Sequence, residues 1–391
     1  MRKSTDPKHT KRHRGWASIC VLGLTTFTVV TTEMLPVGLL TSIARTLEIS
    51  VGNAGLIISV PAFLAAFFAP FVIIMGGDID RRHILAGLLI LLTAANIASA
   101  IAPSFYLLLA ARVAVGFCIG GIWAVAGGLA PRLVPTQSIG TATAIIFGGV
   151  AAASVMGVPV GALIGDAAGW RWAFGVMAGF SAIVLGLSLF VLPALPISQT
   201  IGISQIIGAL KCLPVQLGLI LTLLLVAGHF MAYTFIGPVL QAISKVLPEW
   251  IASLLFLYGV AGIAGNFLAG TFAVQRLATT LCAIIIGLLI AILGFAVLGG
   301  TPASGVGILV LWGLTYGGVS VTLQTWMMKV APSAIEIATA LFVSVFNIAI
   351  ATGSFIGGQI VDRTDLHTNL LVAATLPALA LLLILITSRR Y

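Results

Sequence analysis

The sequence predicts an all-α membrane protein, with twelve transmembrane helices in two pseudo-symmetric six-helix bundles. Three observations carry that prediction. Hydrophobic residues make up 60% of the 391 and charged residues only 7%, whereas a soluble domain carries about 25% charged side chains, so most of the surface faces lipid. Twelve apolar runs, each near the roughly 20 residues a bilayer demands, punctuate the chain. A repeat at a spacing of 196 residues relates its two halves.

Residues 1–15 form a basic tail that holds six of the nineteen Lys and Arg residues: Arg2, Lys3, Lys8, Lys11, Arg12 and Arg14. The apolar stretch that follows, Trp16 to Leu40, is too long for a signal-peptide core and contains Glu33 and Pro36, so it reads as the first span. Apolar runs bounded by turn residues or charges place the first bundle, residues 16–192, at 16–41, 52–76, 83–102, 105–130, 140–164 and 171–192. Pro193, Pro196 and Pro214 then break the pattern, leaving a cytoplasmic connector over 193–213. The second bundle, 214–387, is read as 214–239, 250–274, 279–299, 306–328, 336–360 and 369–387, with a tail at 388–391.

The basic residues test this topology. With both termini inside, fourteen of the nineteen lie on the cytoplasmic side: the six of the tail plus Arg81, Arg82, Arg132, Lys211, Arg276, Lys329, Arg389 and Arg390. Arg45, Arg171, Lys245 and Arg363 fall outside, and only Arg112 lies within a span. That asymmetry is the positive-inside pattern of a multi-pass protein of the cell inner membrane. The scatter forms no single basic patch, so the net charge of +9 does not imply a nucleic-acid partner. Lipid is the solvent, and nothing in the sequence demands more than a monomer. Cys20, Cys118, Cys212 and Cys282 include no CxxC and have no His at ligand spacing, which predicts free thiols and no metal site.

The repeat supports the same span count. A shift of 196 pairs Gly121 with Gly317, Ile139 with Ile335, and Ala142-Thr143-Ala144 with Ala338-Thr339-Ala340. It continues with Ala153 on Ala349, then Gly157, Gly161, Ile164 and Asp166 on Gly353, Gly357, Ile360 and Asp362. Parallel six-helix halves about an axis along the membrane normal are one way transporters place a substrate site at mid-membrane.

In the fifth span, Gly148, Gly157, Val158-Pro159-Val160-Gly161, Gly165 and Gly169-Trp170-Arg171 resemble the antiporter motif of the major facilitator superfamily, in its drug:proton antiporter branch. Small residues let helices approach and Pro159 is expected to kink the span. The later Gly-Gly of the commonest form is missing. Arg112 with Gly116 and Gly120 resembles the buried-arginine motif of that family. Gly76-Gly77-Asp78-Ile79-Asp80-Arg81-Arg82 resembles its loop motif without the later Gly-Arg-Arg. The resemblance implies a gating role for Gly76, Asp80 and Arg81, with Asp80 set against the N-terminal dipole of the eleventh span; a solvated charged turn is the alternative. Glu33-Met34-Leu35-Pro36-Val37-Gly38 and Trp312-Gly313-Leu314-Thr315 are most similar to the sugar-efflux and purine-ribonucleoside-efflux exporters of that branch.

An ionisable group in hydrocarbon costs about 2.5–3.5 kcal/mol on insertion scales, so Glu33, Arg112 and His229 each need a reason. At about 1.5 Å rise per residue, Glu33 lies about 12 Å and Arg112 about 10 Å below the outer face. A pair at matching depth has two readings: a proton-coupling site whose acid changes proton affinity as the halves rock, or a static ion pair. His229 is either a substrate or proton contact or a structural histidine. Tyr233, one turn from His229, with Tyr316 and Asn347 near mid-depth, offers ring faces and an amide to a nucleobase or sugar, or simply fills helix contacts.

No phosphate-binding GxxxxGK[ST] loop is present, so the energy source is expected to be a proton gradient, without any cofactor. A membrane protease would need a Ser/His or Asp pair or HExxH within helices. None is found, so the chain reads as a transporter of a small-molecule substrate and not an enzyme. Export of nucleosides, sugars or drugs is the leading expectation, and proton-coupled uptake is the alternative.

Overall fold

The computed structural model describes residues 7–75, 79–126, 129–195, 208–331 and 335–387. Among these are twelve helices long and apolar enough to cross a membrane, and no strand. The first half comprises α1 (Pro7–Thr46), α2 (Leu56–Met75), α3 (Arg81–Ala100), α4 (Phe105–Ala126), α5 (Ile139–Ala168) and α6 (Trp170–Val191). The second comprises α7 (Leu213–Tyr233), α8 (Pro248–Gln275), α9 (Leu277–Leu298), α10 (Pro302–Val330), α11 (Ile335–Arg363) and α12 (Leu366–Thr387). A one-turn helix, Val51–Ala54, leads into α2, and a short helix, Ile236–Ala242, follows α7. An even number of spans brings both termini to one end of the bundle, the terminal end; the opposite end is the far end. Gly76 and most of the 193–213 connector lie outside the described residues.

Local chemistry sets the helix starts. Pro248 and Pro302 sit in the first turns of α8 and α10, where a missing N–H leaves no bond unmade. Thr301 and Ser304 close a reciprocal capping box on α10. Gly169 has φ +92°, the left-handed region open to glycine, and turns the chain from α5 directly into α6.

Several boundaries differ from the sequence expectation, two of them with consequences for polar residues. The span read as 214–239 is broken at Thr234–Phe235, because Pro238 has no N–H for the Thr234 carbonyl and its ring crowds it. The break frees the Met231 carbonyl, which accepts from Asn369 Nδ2 of α12 at 2.8 Å. Secondly, α5 and α11 run past 164 and 360, which draws Asp166 and Asp362 into their last turns.

Small residues decide which helices touch. On α5, Gly149, Gly157, Gly161 and Gly165 share one face, toward α1. A methyl at Gly149 would stand 2.1 Å from the Gly23 carbonyl oxygen, one at Gly157 3.2 Å from Thr31, and one at Gly161 2.3 Å from Leu35. Gly148, read as part of the motif, meets nothing within 4 Å; its neighbour Gly149 makes the approach, since only every fourth residue returns to the α1 face. Pro159 lies inside α5 without ending it. On α11, Gly353 meets Ala227 and Gly357 meets Met231 of α7. Thr31 and Leu35 shifted by 196 are Ala227 and Met231, so the sequence offset is a structural equivalence, and it sets Glu33 opposite His229. In α4 and α10 the offset grows by one. Gly116 meets Pro61 as Gly313 meets Tyr258, and Gly121 meets Leu88 as Gly318 meets Ile284, so Gly121 pairs with Gly318 rather than Gly317.

The halves are latched at the far end. Asp362 of α11 accepts from the Ser50 hydroxyl at 2.5 Å and the Gly52 N–H at 2.8 Å, capping the Val51–Ala54 turn of the other half. A methyl on Gly52 would stand 2.1 Å from the Gly358 carbonyl oxygen. At the terminal end, Asp80 bonds within its own half: it accepts from the Arg82 N–H at 2.8 Å, capping α3, and from the Leu195 N–H at 2.9 Å. Burial opposes its charge, but these two N–H donors and nearby His83 and Arg82 hold the carboxyl below its ordinary range. The Arg81 N–H donates to the Leu195 carbonyl at 3.2 Å. The residues leading into α11, 332–334, against which Asp80 was expected to sit, lie outside the described residues. Toward the same end Thr325, Trp326, Leu341 and Ser344 of α10 and α11 are only half-buried.

Candidate transport site

Arg112 is fully buried on α4. Its Nη2 donates to the Thr32 carbonyl at 2.8 Å and its Nε to the Ile57 carbonyl at 3.3 Å. Both acceptors exist for one reason. In a helix the N–H of residue i+4 takes the carbonyl of residue i, and the residues four ahead of Thr32 and Ile57 are Pro36 and Pro61. Neither has an N–H. The guanidinium supplies the two missing donors and so staples α4 to α1 and α2. Gly116, one turn along α4, allows the reach, since a methyl there would stand 2.7 Å from the Pro61 carbonyl oxygen. The guanidinium carbon also lies 5.6 Å from the Phe174 ring centre, while Nη1 is buried without a hydrogen bond.

Glu33 is 5% exposed on α1 and is the only buried carboxyl among the described residues. The direct ion pair expected from the matching depths is not formed, because the Arg112 nitrogens are turned to backbone carbonyls. The guanidinium bonds the residue next to Glu33 and acts on it through space. Both residues belong to one half, on α1 and α4. Behind them Asn96 Nδ2 of α3 donates to Thr32 Oγ1 and Ser181 Oγ, each at 3.2 Å, tying α1 to α6.

The facing half presents an aromatic stack. His229 lies between Tyr316, with ring centres 3.3 Å apart and planes 8° apart, and Tyr233, at 4.8 Å and 21°. Tyr258 continues the stack on Tyr233 at 4.7 Å. Trp312 Nε1 donates to His229 Nδ1 at 3.0 Å. The Tyr316 hydroxyl is buried without a hydrogen bond. Burial without a partner is costly for a hydroxyl.

The structure thus gathers His229, Tyr233 and Tyr316 in one stack and, in the other half, bonds Arg112 to the residue next to Glu33. Asn347 is buried on α11, its Nδ2 bonded to the Val343 carbonyl of its own helix at 2.9 Å and its Oδ1 unpartnered; no hydrogen bond joins it to the stack. Sequence reasoning overlooked Trp312 and Tyr258 as members of the stack, Pro36 and Pro61 as creators of acceptors, and Asp362 as a latch. The prolines were legible as two helix breakers four residues beyond Thr32 and Ile57. Their shared partner was not, because it lies on a third helix.

The family model described as Major Facilitator Superfamily matches residues 22–354. The chain is 30% identical over 98% of its length to "Transcription regulatory protein OpdE" of Pseudomonas aeruginosa, covering 97% of that protein. It is 30% identical over 93% of its length to a "Probable sugar efflux transporter" of Mannheimia succiniciproducens, covering 92% of it. It is 29% identical over 94% to the "Purine ribonucleoside efflux pump NepI" of Escherichia coli, covering 93% of it. Among solved structures, a bacterial homolog of the human lysosomal transporter Spinster, inward-facing and occupied, superposes with TM-score 0.75 at 15% identity, covering 99% of this chain and 98% of that one. The nucleoside transporter NupG superposes with TM-score 0.75 at 14% identity, covering 94% and 99%. At such identities these two structures speak to the fold alone.

Proposed function

The chain belongs to the major facilitator superfamily and is a transporter, not an enzyme; from that premise we propose that it is a proton-coupled antiporter exporting small polar molecules across the cell inner membrane. The observation that carries this reading is Glu33, the one buried carboxyl among the described residues, in one half of a transporter whose other half buries His229 and an unpartnered Tyr316 hydroxyl. Arg112 cannot move relative to Glu33 without breaking its bonds to α1. What rocking changes is the distance from Glu33 to the Tyr316–His229 stack. Cargo and proton then compete for one carboxyl: cargo bridges the halves when Glu33 is ionised, and protonation from the opposite side releases it. The ring faces and free polar atoms suit a nucleoside or sugar, in keeping with the names of two relatives. The terminal end, which carries the excess of Lys and Arg, is assigned to the cytoplasm on the positive-inside pattern.

Purified protein in liposomes with an imposed pH gradient tests the reading, with a purine ribonucleoside, a pentose and a lipophilic cation as probes. Glu33→Gln, which mimics the protonated carboxyl, is expected to abolish gradient-driven flux and to weaken cargo exchange at equal pH as well. Gradient-driven flux at the wild-type rate in that variant would overturn it.

A further inference from the structure

We propose that Trp312 is a positioning residue that fixes the tautomer of His229, so that His229 offers its Nε2–H as a hydrogen-bond donor to an acceptor atom of the cargo. An indole N–H can only donate. Its bond to His229 Nδ1 at 3.0 Å therefore requires the lone pair to sit on Nδ1, which leaves the proton of the neutral ring on Nε2. Both side chains are buried, and stacking on Tyr316 and Tyr233 opposes a ring flip that would exchange the two nitrogens.

Nε2 has no hydrogen-bond partner among the described residues. The titratable groups stacked around the ring are Tyr316, Tyr233 and, beyond it, Tyr258. A second proton on the imidazole would have to displace the indole from Nδ1, so the geometry suits His229 to donation and not to proton carriage. The equivalence of α1 with α7 sharpens the division: the same position holds a proton acceptor, Glu33, in one half and a fixed donor, His229, in the other. The cargo this selects is neutral, with an acceptor atom such as a hydroxyl, ring nitrogen or carbonyl oxygen.

The cargo part rests on the transport reading above; the tautomer does not, and the experiment separates them. Full-length protein with 15N-labelled histidine is measured by NMR, the His229 signals being assigned by their loss in His229→Gln. Wild type should show Nε2 protonated and Nδ1 bare, and Trp312→Phe a mixture of both tautomers. A proton on Nδ1 in wild type, or an unchanged tautomer in Trp312→Phe, would overturn the proposal whatever is transported. In liposomes, Trp312→Phe should raise the KM for a purine ribonucleoside about fivefold to tenfold with kcat nearly kept, as loss of one oriented hydrogen bond predicts. An unchanged KM would remove the cargo role of His229 even if the tautomer is as stated. Should Trp312→Phe fail to fold, the wild-type spectrum alone decides the tautomer.

Discussion

Arg112→Met tests the proline-made acceptors directly. Methionine keeps the length and apolar stem but removes every donor. In wild type the buried guanidinium serves the Thr32 and Ile57 carbonyls. Hydrogen bonds to charged groups contribute about 1.5–3 kcal/mol each in soluble proteins, whereas side-chain bonds inside membrane proteins average about 0.6 and reach about 1.7. Two bonds with orphaned acceptors therefore place the loss at about 2–4 kcal/mol. The same substitution in a Pro36→Ala/Pro61→Ala background should cost far less, since alanine restores both helical N–H donors. A double-mutant cycle by steric-trap unfolding in bicelles should then give a coupling of about 2 kcal/mol or more. Equal cost in the two backgrounds would refute the reasoning, because Arg112 would then act through its charge or packing and not through the freed carbonyls.

Asp362→Ala removes both acceptors of the far-end latch; at about 1.4 kcal/mol, a tenfold shift in equilibrium, a cysteine placed at Thr41 in a cysteine-free background should react about ten times faster with a maleimide from the far side. On α5, Gly161→Val should destabilise by more than about 2 kcal/mol through collision with Leu35, while Gly148→Ala should stay within about 0.5 kcal/mol, both read by thermal unfolding in detergent. Asp80→Ala should cost about 1 kcal/mol as a lost cap of α3. Because the carboxyl of Asp80 titrates below its ordinary value, its contribution is present above about pH 3.9 and is lost as pH falls through the lowered value. Wild type and Asp80→Ala should converge in acid, and a difference that persisted at the lowest pH would contradict this.

Composition, apolar run lengths and the 196-residue repeat determined the class, the span count and the equivalence of α5 with α11. Each of these depends on period and composition along one helix, and a linear reading reports both. Glu33, Arg112 and His229 were legible for a related reason: charge in hydrocarbon is costly wherever the helix packs. Which atoms they face was decided by the tertiary structure alone. Glu33 and Arg112 matched in depth but not in orientation, because prolines on two other helices drew the guanidinium to backbone carbonyls. Trp312 looked like a sequence marker until α10 brought its indole against an imidazole 83 residues away. Gly148 and Gly149 differ by one position in sequence but by about 100° around the helix, and the packing of α5 on α1 chose between them.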